Sequence, residues 1–279
     1  MPDIAYVNGC FGPLADAVVS IEDRGYQFGD GVYEVIRTYR GHPFAIEAHL
    51  QRLERSATAL RILAGPASAQ WESLIREGLR LSRFPETKIY LQLTRGRAPR
   101  DHSFPEDITA TTILTFREFR PLEATISDAG VGAITIQDIR WGRCDIKSIN
   151  LLANVLARQQ AKEAGAFEAI LVRDGGVTEG SVSNVAIVRN GTIHTAPEGS
   201  NILSGVTRAL VLELAKKEGI PVIESRISRE DLFTASEVFL TGTTVEVLSV
   251  VCVDGQVIGS GKPGPISRLL SARWKVLVE

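Results

Sequence analysis

Apolar and polar residues alternate with a period of two in three stretches of the first part of the chain, and this pattern predicts strands. Residues 32–39 (VYEVIRTY) show the alternation clearly and end at the turn-forming sequence RGHP. Strand character is also present at 87–94 (TKIYLQLT) and at 109–118. A loop rich in Arg, Pro and Asp separates these last two runs.

Two other stretches carry apolar residues at spacings of three and four, which predicts amphipathic helices. In residues 47–63 the apolar face contains Leu50, Leu53 and Ala57. A second helix is predicted over 69–82, with Ser68 as its N-cap. The first part of the chain therefore alternates strands with helices.

Strand-like runs dominate after residue 130. They cover 131–139, 167–173, 184–189, 192–195, 236–241 and 247–253. Helical patterns cover 149–164, 206–218 and 264–277. Asn190-Gly191 and Asp254-Gly255 are typical of two-residue hairpin turns, and the sequence SRED from Ser228 resembles a capping box.

The stretch 117–130 (REFRPLEATISDAG) has the composition of a linker between two domains. We therefore predict domains at 1–120 and 131–279, with an interdomain linker at 121–130. Both are expected to be α/β in class, with sheets that are substantially antiparallel and a site between the domains.

Composition excludes several classes of function. Lys plus Arg is 31 and Asp plus Glu is 33 in 279 residues, a net charge of −2, which offers no basic surface for nucleic acid or an anionic membrane. No apolar run approaches the roughly 20 residues that span a bilayer, and the first ten residues do not resemble a signal peptide. The three cysteines and four histidines are scattered, so we expect no metal site and a reduced, cytoplasmic location.

Lys147 lies in the sequence DIRWGRCDIKSINLL, directly before an apolar run. A lone lysine usually extends its ammonium group to water. A lysine in apolar surroundings is instead a candidate for covalent catalysis, because desolvation disfavours its charged form.

Three turns rich in Gly, Ser and Thr follow Lys147. They are TEGSVSN (178–184), LSGVTR (203–208) at the start of a predicted helix, and TGTTVE (241–246). N–H groups at a helix opening suit a phosphate, although each turn alone is a weak signal. The first turn contains Glu179, which would need a cationic partner if it were buried. A lysine, phosphate-binding turns and a carboxylate together suit pyridoxal phosphate.

The loop TRGRAPRDHSFP (94–105) gathers Arg95, Arg97, Arg100 and His102. Arginine side chains bind carboxylates through two parallel hydrogen bonds, so this loop is a candidate site for an acidic substrate. A solvated basic loop, balanced by Asp101, is an equally good interpretation of these residues alone.

Six segments, taken together, are recognisable. They are EDRGYQFGDGVYEV (22–35), HLQRLERS (49–56), TRGRAPRDHSFP (94–105), DIRWGRCDIKSINLL (138–152), EAILVRDGGVTEGSVSN (168–184) and LSGVTR (203–208). In this order they resemble the fold-type IV pyridoxal-phosphate enzymes, and most of all their D-amino-acid aminotransferase branch. The resemblance implies a small N-terminal α/β domain and a larger C-terminal domain with a barrel-like, largely antiparallel sheet.

The resemblance also implies roles for individual residues. Lys147 would bind the cofactor covalently and act as the catalytic base, and Glu179 would pair with the pyridine nitrogen. The expected phosphate ligands are Arg52, Val206, Thr207 and Thr243. Ser183, Leu203 and Trp141 would lie near the cofactor. Tyr33, Arg100 and His102 would bind the substrate carboxylate, with Arg100 and His102 contributed by the second subunit of a homodimer.

Three residues depart from the family pattern. Val182 stands where a serine is usual, Gly142 replaces a larger apolar residue, and Gly242 replaces a serine. These changes remove hydroxyl groups or bulk near the expected cofactor and leave Lys147 and Glu179 in place. They bear on cofactor affinity and substrate preference rather than on the reaction.

The implied activity is transfer of the amino group of D-alanine or another D-amino acid to 2-oxoglutarate or another 2-oxo acid, by ping-pong kinetics. The alternatives are a branched-chain L-amino-acid aminotransferase and an aminodeoxychorismate lyase, which share the fold. A phosphate-ligand binder without catalysis is a further alternative. The Arg100 and His102 loop argues against both alternative enzymes, although function varies readily in loops.

Overall fold

The computed structural model describes residues 2–279, which divide into two compact units. The first contains the described residues up to Arg120 together with Ile146–Asn150, and the second contains Pro121–Asp145 and Leu151–Glu279. The predicted division differs in two places. The segment Ile146–Asn150 belongs to the first unit, and the predicted linker contains a helix of the second.

The first unit is built on one antiparallel sheet of six strands. The strands are β1 (Ile4–Val7), β2 (Cys10–Pro13), β3 (Gly31–Tyr39), β4 (His42–Pro43), β5 (Thr87–Thr94) and β6 (Thr111–Glu118). Their order in the sheet is β2-β1-β6-β5-β3-β4. The helices are α1 (Arg24–Phe28), α2 (Ile46–Ala59) and α3 (Ser68–Ser82), with a short 3₁₀ turn at Leu14–Asp16.

The core of the first unit lies between this sheet and the apolar faces of α2 and α3. Leu50, Leu53 and Ala57 are buried against Ile36 and Leu91 of the sheet. The alternation predicted for β3 is therefore correct, and so is the predicted apolar face of α2.

Two helix ends in the first unit differ from the sequence predictions. Helix α2 ends at Ala59 rather than at residue 63, because Arg61 adopts a left-handed backbone conformation (φ +57°) and the amide of Ile62 returns to the carbonyl of Ala57 at 2.8 Å. Helix α3 has Ala67 rather than Ser68 at its N-cap, and no side chain caps it. Ser68 is the first helical residue instead.

The second unit contains a ten-stranded mixed sheet that curls into half a barrel. Its strands are β7 (Val131–Gln137), β8 (Glu168–Arg173), β9 (Gly176–Gly180), β10 (Asn184–Arg189), β11 (Thr192–Thr195), β12 (Val222–Glu224), β13 (Ile227–Ser228), β14 (Glu237–Gly242), β15 (Glu246–Val253) and β16 (Gln256–Val257). The order is β12-β11-β10-β14-β15-β7-β8-β9-β13, and β16 pairs with β15. Most pairs are antiparallel, as predicted; β7 pairs in parallel with β8 and β15, and β11 with β12.

The helices of the second unit are α4 (Ala124–Ala129), α5 (Leu152–Glu163), α6 (Val206–Lys217), α7 (Arg229–Thr234) and α8 (Pro265–Val278). Buried side chains of the strands, among them Ile170, Val238 and Val250, form its core. Helix α5 begins at Leu152 rather than at 149, because the amide of Ile149 is bonded to the carbonyl of Gly31 in the first unit. In the part of the chain that the structure describes, no helix has the length and apolar character needed to cross a membrane.

Local turn chemistry in the second unit agrees with the sequence. Asn190 and Gly191 both have positive φ, as do Asp254 and Gly255, which is the conformation that a type I′ hairpin requires. The Ser228 side chain accepts from the amide of Asp231, and the Asp231 carboxylate accepts from the amide of Ser228, so the predicted capping box is confirmed.

Candidate active site

Lys147 is held in the first unit by backbone hydrogen bonds to β3. Its carbonyl accepts from the amide of Tyr33 at 3.0 Å, and the amide of Ile149 donates to the carbonyl of Gly31 at 3.1 Å. The Lys147 amide donates to the Ser56 hydroxyl of α2 at 3.1 Å. The segment therefore extends the edge of β3, and the position of Lys147 is fixed from two elements.

The side chain of Lys147 is half-buried and lies against an aromatic ring. Its Nζ is 4.3 Å from the centroid of Tyr33. The Tyr33 ring stacks on Tyr90 with a centroid distance of 5.6 Å. Burial, together with the neighbouring Tyr33, raises the pKa of Tyr90, whose hydroxyl donates to Gln92 at 2.6 Å. Lys147 and Tyr33, which the resemblance assigns to the cofactor and to the substrate carboxylate, therefore lie next to each other in the first unit.

Arg52 forms a buried ion pair with Glu34 of β3. Its Nε and Nη2 donate to the two carboxylate oxygens at 2.7 and 2.9 Å, and Nδ1 of His49 lies 2.8 Å from Oε2. Glu34 is fully buried. Burial opposes its ionisation, but the charge and hydrogen bonds of Arg52 hold the pKa of Glu34 well below its usual range.

His49 is the third member of this buried group. Burial lowers its pKa, and the positive charges of Arg52 and Lys147 act in the same direction against the stabilising hydrogen bond to Glu34. The imidazole is therefore neutral at neutral pH, and its Nδ1 carries the proton that the Glu34 carboxylate accepts.

Arg100 and His102 are exposed on the loop that joins β5 to β6. The guanidinium of Arg100 lies over the Phe28 ring at 4.6 Å, and the His102 ring is 5.3 Å from the same ring between centroids. The structure thus brings Arg100 and His102, two of the three residues predicted to bind the substrate carboxylate, together on one aromatic ring of α1.

Glu179 is the second-last residue of β9 in the second unit. It is buried, and it has the cationic partner that was expected only for a buried glutamate. Oε1 accepts from Nη1 of Arg140, and Oε2 accepts from the Asn184 amide at 3.0 Å and from the backbone amide of Leu203 at 3.1 Å. Of the predicted cofactor residues, Glu179 and Leu203 are therefore in direct contact.

Arg140 connects Glu179 to Asp138, a second buried carboxylate. Nε and Nη2 of Arg140 donate to Asp138 at 2.9 and 2.8 Å, and the Thr178 hydroxyl donates to it at 2.9 Å. Burial works against both charges. The mutual attraction nevertheless raises the pKa of Arg140 above its usual value and lowers the pKa of Asp138 to about 2.

Ser183 lies one residue before β10, and its hydroxyl is directed to a carboxylate other than Glu179. It donates to Oε2 of Glu168 at 2.8 Å, while the Ser181 hydroxyl and amide donate to Oε1. Glu168 is buried, so these bonds satisfy its carboxylate and fix the turn between β9 and β10. The side chain of Val182, between them, is 64% exposed.

The opening of α6 presents Val206 and Thr207 after Gly205, which is the N-cap residue and provides no side-chain cap. A Cβ at Gly205 would lie 2.0 Å from Oδ1 of Asn184, so a larger residue would displace the amide that holds Glu179. Thr243 follows β14 in the turn before β15 and is half-buried. The predicted phosphate ligands of the second unit thus occupy a helix opening and a strand end, as expected.

Two of the residues that depart from the family pattern, Gly142 and Gly242, differ in the space around them. A Cβ at Gly142 would meet nothing within 4 Å, and one at Gly242 would approach Val245 at 3.3 Å. Trp141 is 42% exposed.

Five polar residues around these positions were not assigned a role from the sequence. They are Glu34, His49, Asp138, Arg140 and Asn184. Glu34 had a detectable signal, because the alternation of β3 puts it on the buried face with Val32 and Ile36. Arg140 had none, since its partner Glu179 is 39 residues away.

The chain belongs to the class IV aminotransferase family, whose model matches residues 31–253. It is 46% identical to a D-alanine aminotransferase of Bacillus licheniformis over 94% of this chain and 92% of that protein. It is 41% identical to the D-alanine aminotransferase of Staphylococcus haemolyticus over 98% and 97% of the two chains.

Solved structures of branched-chain amino acid aminotransferases have the same fold. The Escherichia coli enzyme superposes with a TM-score of 0.93 at 28% identity, covering 100% of this chain and 95% of that one. The T.th. enzyme with pyridoxamine 5′-phosphate gives 0.91 at 30% identity, covering 99% and 93%. The predicted fold-type IV architecture, the aminotransferase class and the cofactor pyridoxal 5′-phosphate are thereby confirmed.

The residues present fit this cofactor chemically. Glu179 is buried and paired with Arg140, and a carboxylate in this position suits a protonated ring nitrogen. The uncapped opening of α6 offers backbone N–H groups and a helix dipole to a phosphate, and the close approach at Gly205 accepts only glycine there.

Proposed function

We propose that the protein is a D-amino-acid transaminase that moves the amino group of D-alanine, or a similar D-amino acid, to 2-oxoglutarate. The 41–46% identity to D-alanine aminotransferases over nearly the whole chain carries this proposal. The branched-chain enzymes match the fold at 28–30% identity and support the alternative less well.

Pyridoxal phosphate, when bound, supplies an aldehyde carbon to which amines add and a ring that accepts electrons from the substrate. Lys147 would hold the cofactor covalently through its amine. The same amine, when free, would act as the base that moves the proton at the substrate Cα. The hydrogen bonds of the Lys147 backbone to Tyr33 and Ser56 support this role. They fix the main chain of Lys147, so that only its side chain has to move during the reaction.

Glu179 keeps the proton on the ring nitrogen. Its two carboxylate oxygens already accept from Arg140, Asn184 and the Leu203 amide, which stabilise the ionised form. An ionised carboxylate favours the protonated ring, and a protonated ring is the better electron acceptor.

The proposed phosphate ligand of the first unit is Arg52, and those of the second unit are Val206 and Thr207 at the start of α6 and Thr243. Glu34 orients Arg52 through two hydrogen bonds, so the guanidinium is fixed before the phosphate arrives. Ser183 acts indirectly, through Glu168, by fixing the turn that follows Glu179.

Handedness follows from the site of the carboxylate. Lys147 moves the proton at Cα, so the Cα–H bond must face Lys147 whichever enantiomer binds. Exchanging enantiomers then exchanges the positions of the carboxylate and the side chain. Tyr33, Arg100 and His102 form the proposed carboxylate site, and by resemblance they select the D-form.

The active form is proposed to be a homodimer in which Arg100 and His102 serve the neighbouring subunit. Their exposure in the single chain is consistent with such a role. The cytoplasmic location stays a prediction, as do the absence of nucleic-acid and membrane partners and the absence of a metal site.

A coupled assay of D-alanine and L-alanine with 2-oxoglutarate tests the function, with purified protein that has been saturated with pyridoxal phosphate. We expect turnover of the D-form and little of the L-form. Preference for L-leucine or L-isoleucine over every D-amino acid would support the branched-chain alternative instead. Release of pyruvate from aminodeoxychorismate would support the lyase.

A further inference from the structure

Arg24 is a buried arginine that no step of the proposed reaction uses. Its side chain is 3% exposed. Nε donates to Asp30 at 2.9 Å on one side. On the other side Nη1 donates to the carbonyls of Asp101 and Ser103, and Nη2 donates to the carbonyl of His102 at 3.3 Å. One planar guanidinium therefore binds three consecutive carbonyls of the loop that carries Arg100 and His102.

The groups that bind Arg24 are themselves held in place by further hydrogen bonds. Asp30 also accepts two hydrogen bonds from Arg95, at 2.7 and 2.9 Å, and Arg95 donates to the carbonyls of Leu60 and Arg61. The Arg24 amide donates to the carbonyl of Gly96 at 2.8 Å. A buried guanidinium needs such a complete set of partners. Arg24, which binds the loop, is thus connected to the first unit by several hydrogen bonds.

The start and the end of the loop approach each other at Gly96, which has a positive φ of +114°. A Cβ at this position would lie 2.0 Å from the carbonyl oxygen of Thr109. The two ends of the loop therefore approach so closely at this point that only glycine fits.

Phe28 supports the two functional side chains of the loop. Its ring lies beneath Arg100 at 4.6 Å and beside His102 at 5.3 Å, and the guanidinium of Arg24 is 4.9 Å from the same ring. Nη1 of Arg100 also donates to the carbonyl of Gln27 at 3.4 Å. The side chains that are exposed to solvent thus rest on α1, while the main chain between them is bound to Arg24.

We propose that Arg24 and Phe28 are positioning residues for recognition of the substrate carboxylate. Arg24 fixes the main chain at residues 101–103, and Phe28 fixes the directions of Arg100 and His102. An arginine that is ordered before binding loses less conformational entropy when it binds a carboxylate. The inference rests on the proposed role of Arg100 and His102. Arg24 and Phe28 would orient these two side chains without touching the substrate.

The test uses Arg24→Lys and Phe28→Leu in the full-length, cofactor-loaded enzyme. Lysine keeps the charge beside Asp30 but cannot bind three carbonyls at once. We expect KM for both D-alanine and 2-oxoglutarate to rise about tenfold in Arg24→Lys, as the loss of about one charged hydrogen bond implies. For Phe28→Leu we expect a rise of about threefold, from the loss of a cation–π contact. In both variants kcat should change much less than KM.

Two further measurements separate positioning from a general structural role. The affinity of the apoprotein for pyridoxal phosphate, from absorbance titration, should not change. The dissociation constant of propionate, a carboxylate without an amino or keto group, should rise by the same factor as KM in calorimetric titration. Arg97→Lys is the matched control, because Arg97 lies in the same loop and forms an exposed pair with Glu22. It should leave all these values unchanged.

A double-mutant cycle tests whether Arg24 and Phe28 act on KM through Arg100 and His102. In an Arg100→Ala, His102→Ala background, Arg24→Lys and Phe28→Leu should raise KM no further, because the side chains through which they act are gone. Equal effects in both backgrounds would overturn the inference. An unchanged KM in folded Arg24→Lys and Phe28→Leu would also overturn the inference. In that case the proposed function would still stand if Arg100→Ala raised KM. An unchanged KM in Arg100→Ala and His102→Ala would overturn the proposed carboxylate site and the inference that rests on it. If Arg24→Lys does not fold, Phe28→Leu carries the test alone.

Discussion

Glu34 and Arg52 face each other on the buried side of the first sheet, with two parallel hydrogen bonds of 2.7 and 2.9 Å. The Glu34 carboxylate is fully buried and belongs to β3. Gly31 and Tyr33 of the same strand form the backbone hydrogen bonds that hold the Lys147 segment. One strand therefore orients both the proposed phosphate ligand and the proposed catalytic lysine.

The ion pair makes Glu34 sensitive to substitution. Glu34→Gln removes the charge that compensates buried Arg52 and places an amide donor against it, and breaking a buried pair in this way costs about 3–5 kcal/mol. We expect a loss of this size in the free energy of unfolding, measured with urea, and weaker binding of pyridoxal phosphate. Glu77→Gln is the control, because Glu77 pairs with Arg80 on the exposed surface of α3 and should change stability little. A Glu34→Gln protein as stable as the wild type would contradict the buried pair.

We expect Asp138 to contribute to the stability of the fold in a way that is lost in acid. Its pKa in the folded protein is about 2, below the value of 3.8 for a free side chain, so the folded state favours the ionised form. The contribution is therefore fully present above pH 4 and is lost as the pH falls toward 2. The difference of nearly two pKa units corresponds to roughly 2 kcal/mol.

Comparison of wild type with Asp138→Asn isolates this contribution from that of other carboxylates. The asparagine variant should unfold more easily at pH 7, since Arg173 loses its charged partner and Arg140 keeps only Glu179. The gap between the two proteins, from urea unfolding, should narrow steadily below pH 4. A gap that is independent of pH would show that Asp138 does not titrate as described.

Lys147→Ala should abolish turnover and the visible absorbance of the bound cofactor together, because the covalent anchor and the base are the same amine. Lys88→Ala provides a matched control, since Lys88 is an exposed lysine of β5 in the same unit. Reduction of the wild-type protein with borohydride, followed by peptide mapping, should place the cofactor on Lys147. Normal transamination by Lys147→Ala would remove the proposed role of this residue.

Glu179→Gln should leave the fold intact, because Arg140 keeps Asp138 as a charged partner, and it should slow the half-reaction with D-alanine. A hydrogen bond to a charged group is worth roughly 1.5–3 kcal/mol, so we expect a loss of about one to two orders of magnitude in the rate. Stopped-flow absorbance of a single half-reaction measures it, and Glu213→Gln on the exposed face of α6 serves as the control. An unchanged rate would separate Glu179 from the ring nitrogen.

The sequence predicted those features that depend on local pattern. The alternation of β3, the apolar face of α2, the type I′ turn at Asn190 and the capping box at Ser228 all follow from residues close together in the chain. Ser68 is the counterexample, because its N-cap preference was overridden by a helix that starts one residue earlier.

Contacts between distant residues were not predictable in the same way. The segment around Lys147 extends β3, more than 110 positions earlier in the sequence, and no local pattern indicates that pairing. Likewise, the need of Glu179 for a cation was predictable from burial, but its identity as Arg140 was not. The resemblance to a known family supplied the roles of Arg52, Arg100 and His102, which the residues alone left open.

The central claim is that this enzyme transaminates D-amino acids, and initial rates with a panel of D- and L-amino acids against 2-oxoglutarate test it most directly. D-alanine should give the highest kcat/KM or lie close to it, with each L-form far below its enantiomer. Arg100→Ala should reduce kcat/KM for D-alanine through KM. A protein that turns over L-leucine or L-isoleucine better than any D-amino acid would contradict the claim and with it the proposed carboxylate site.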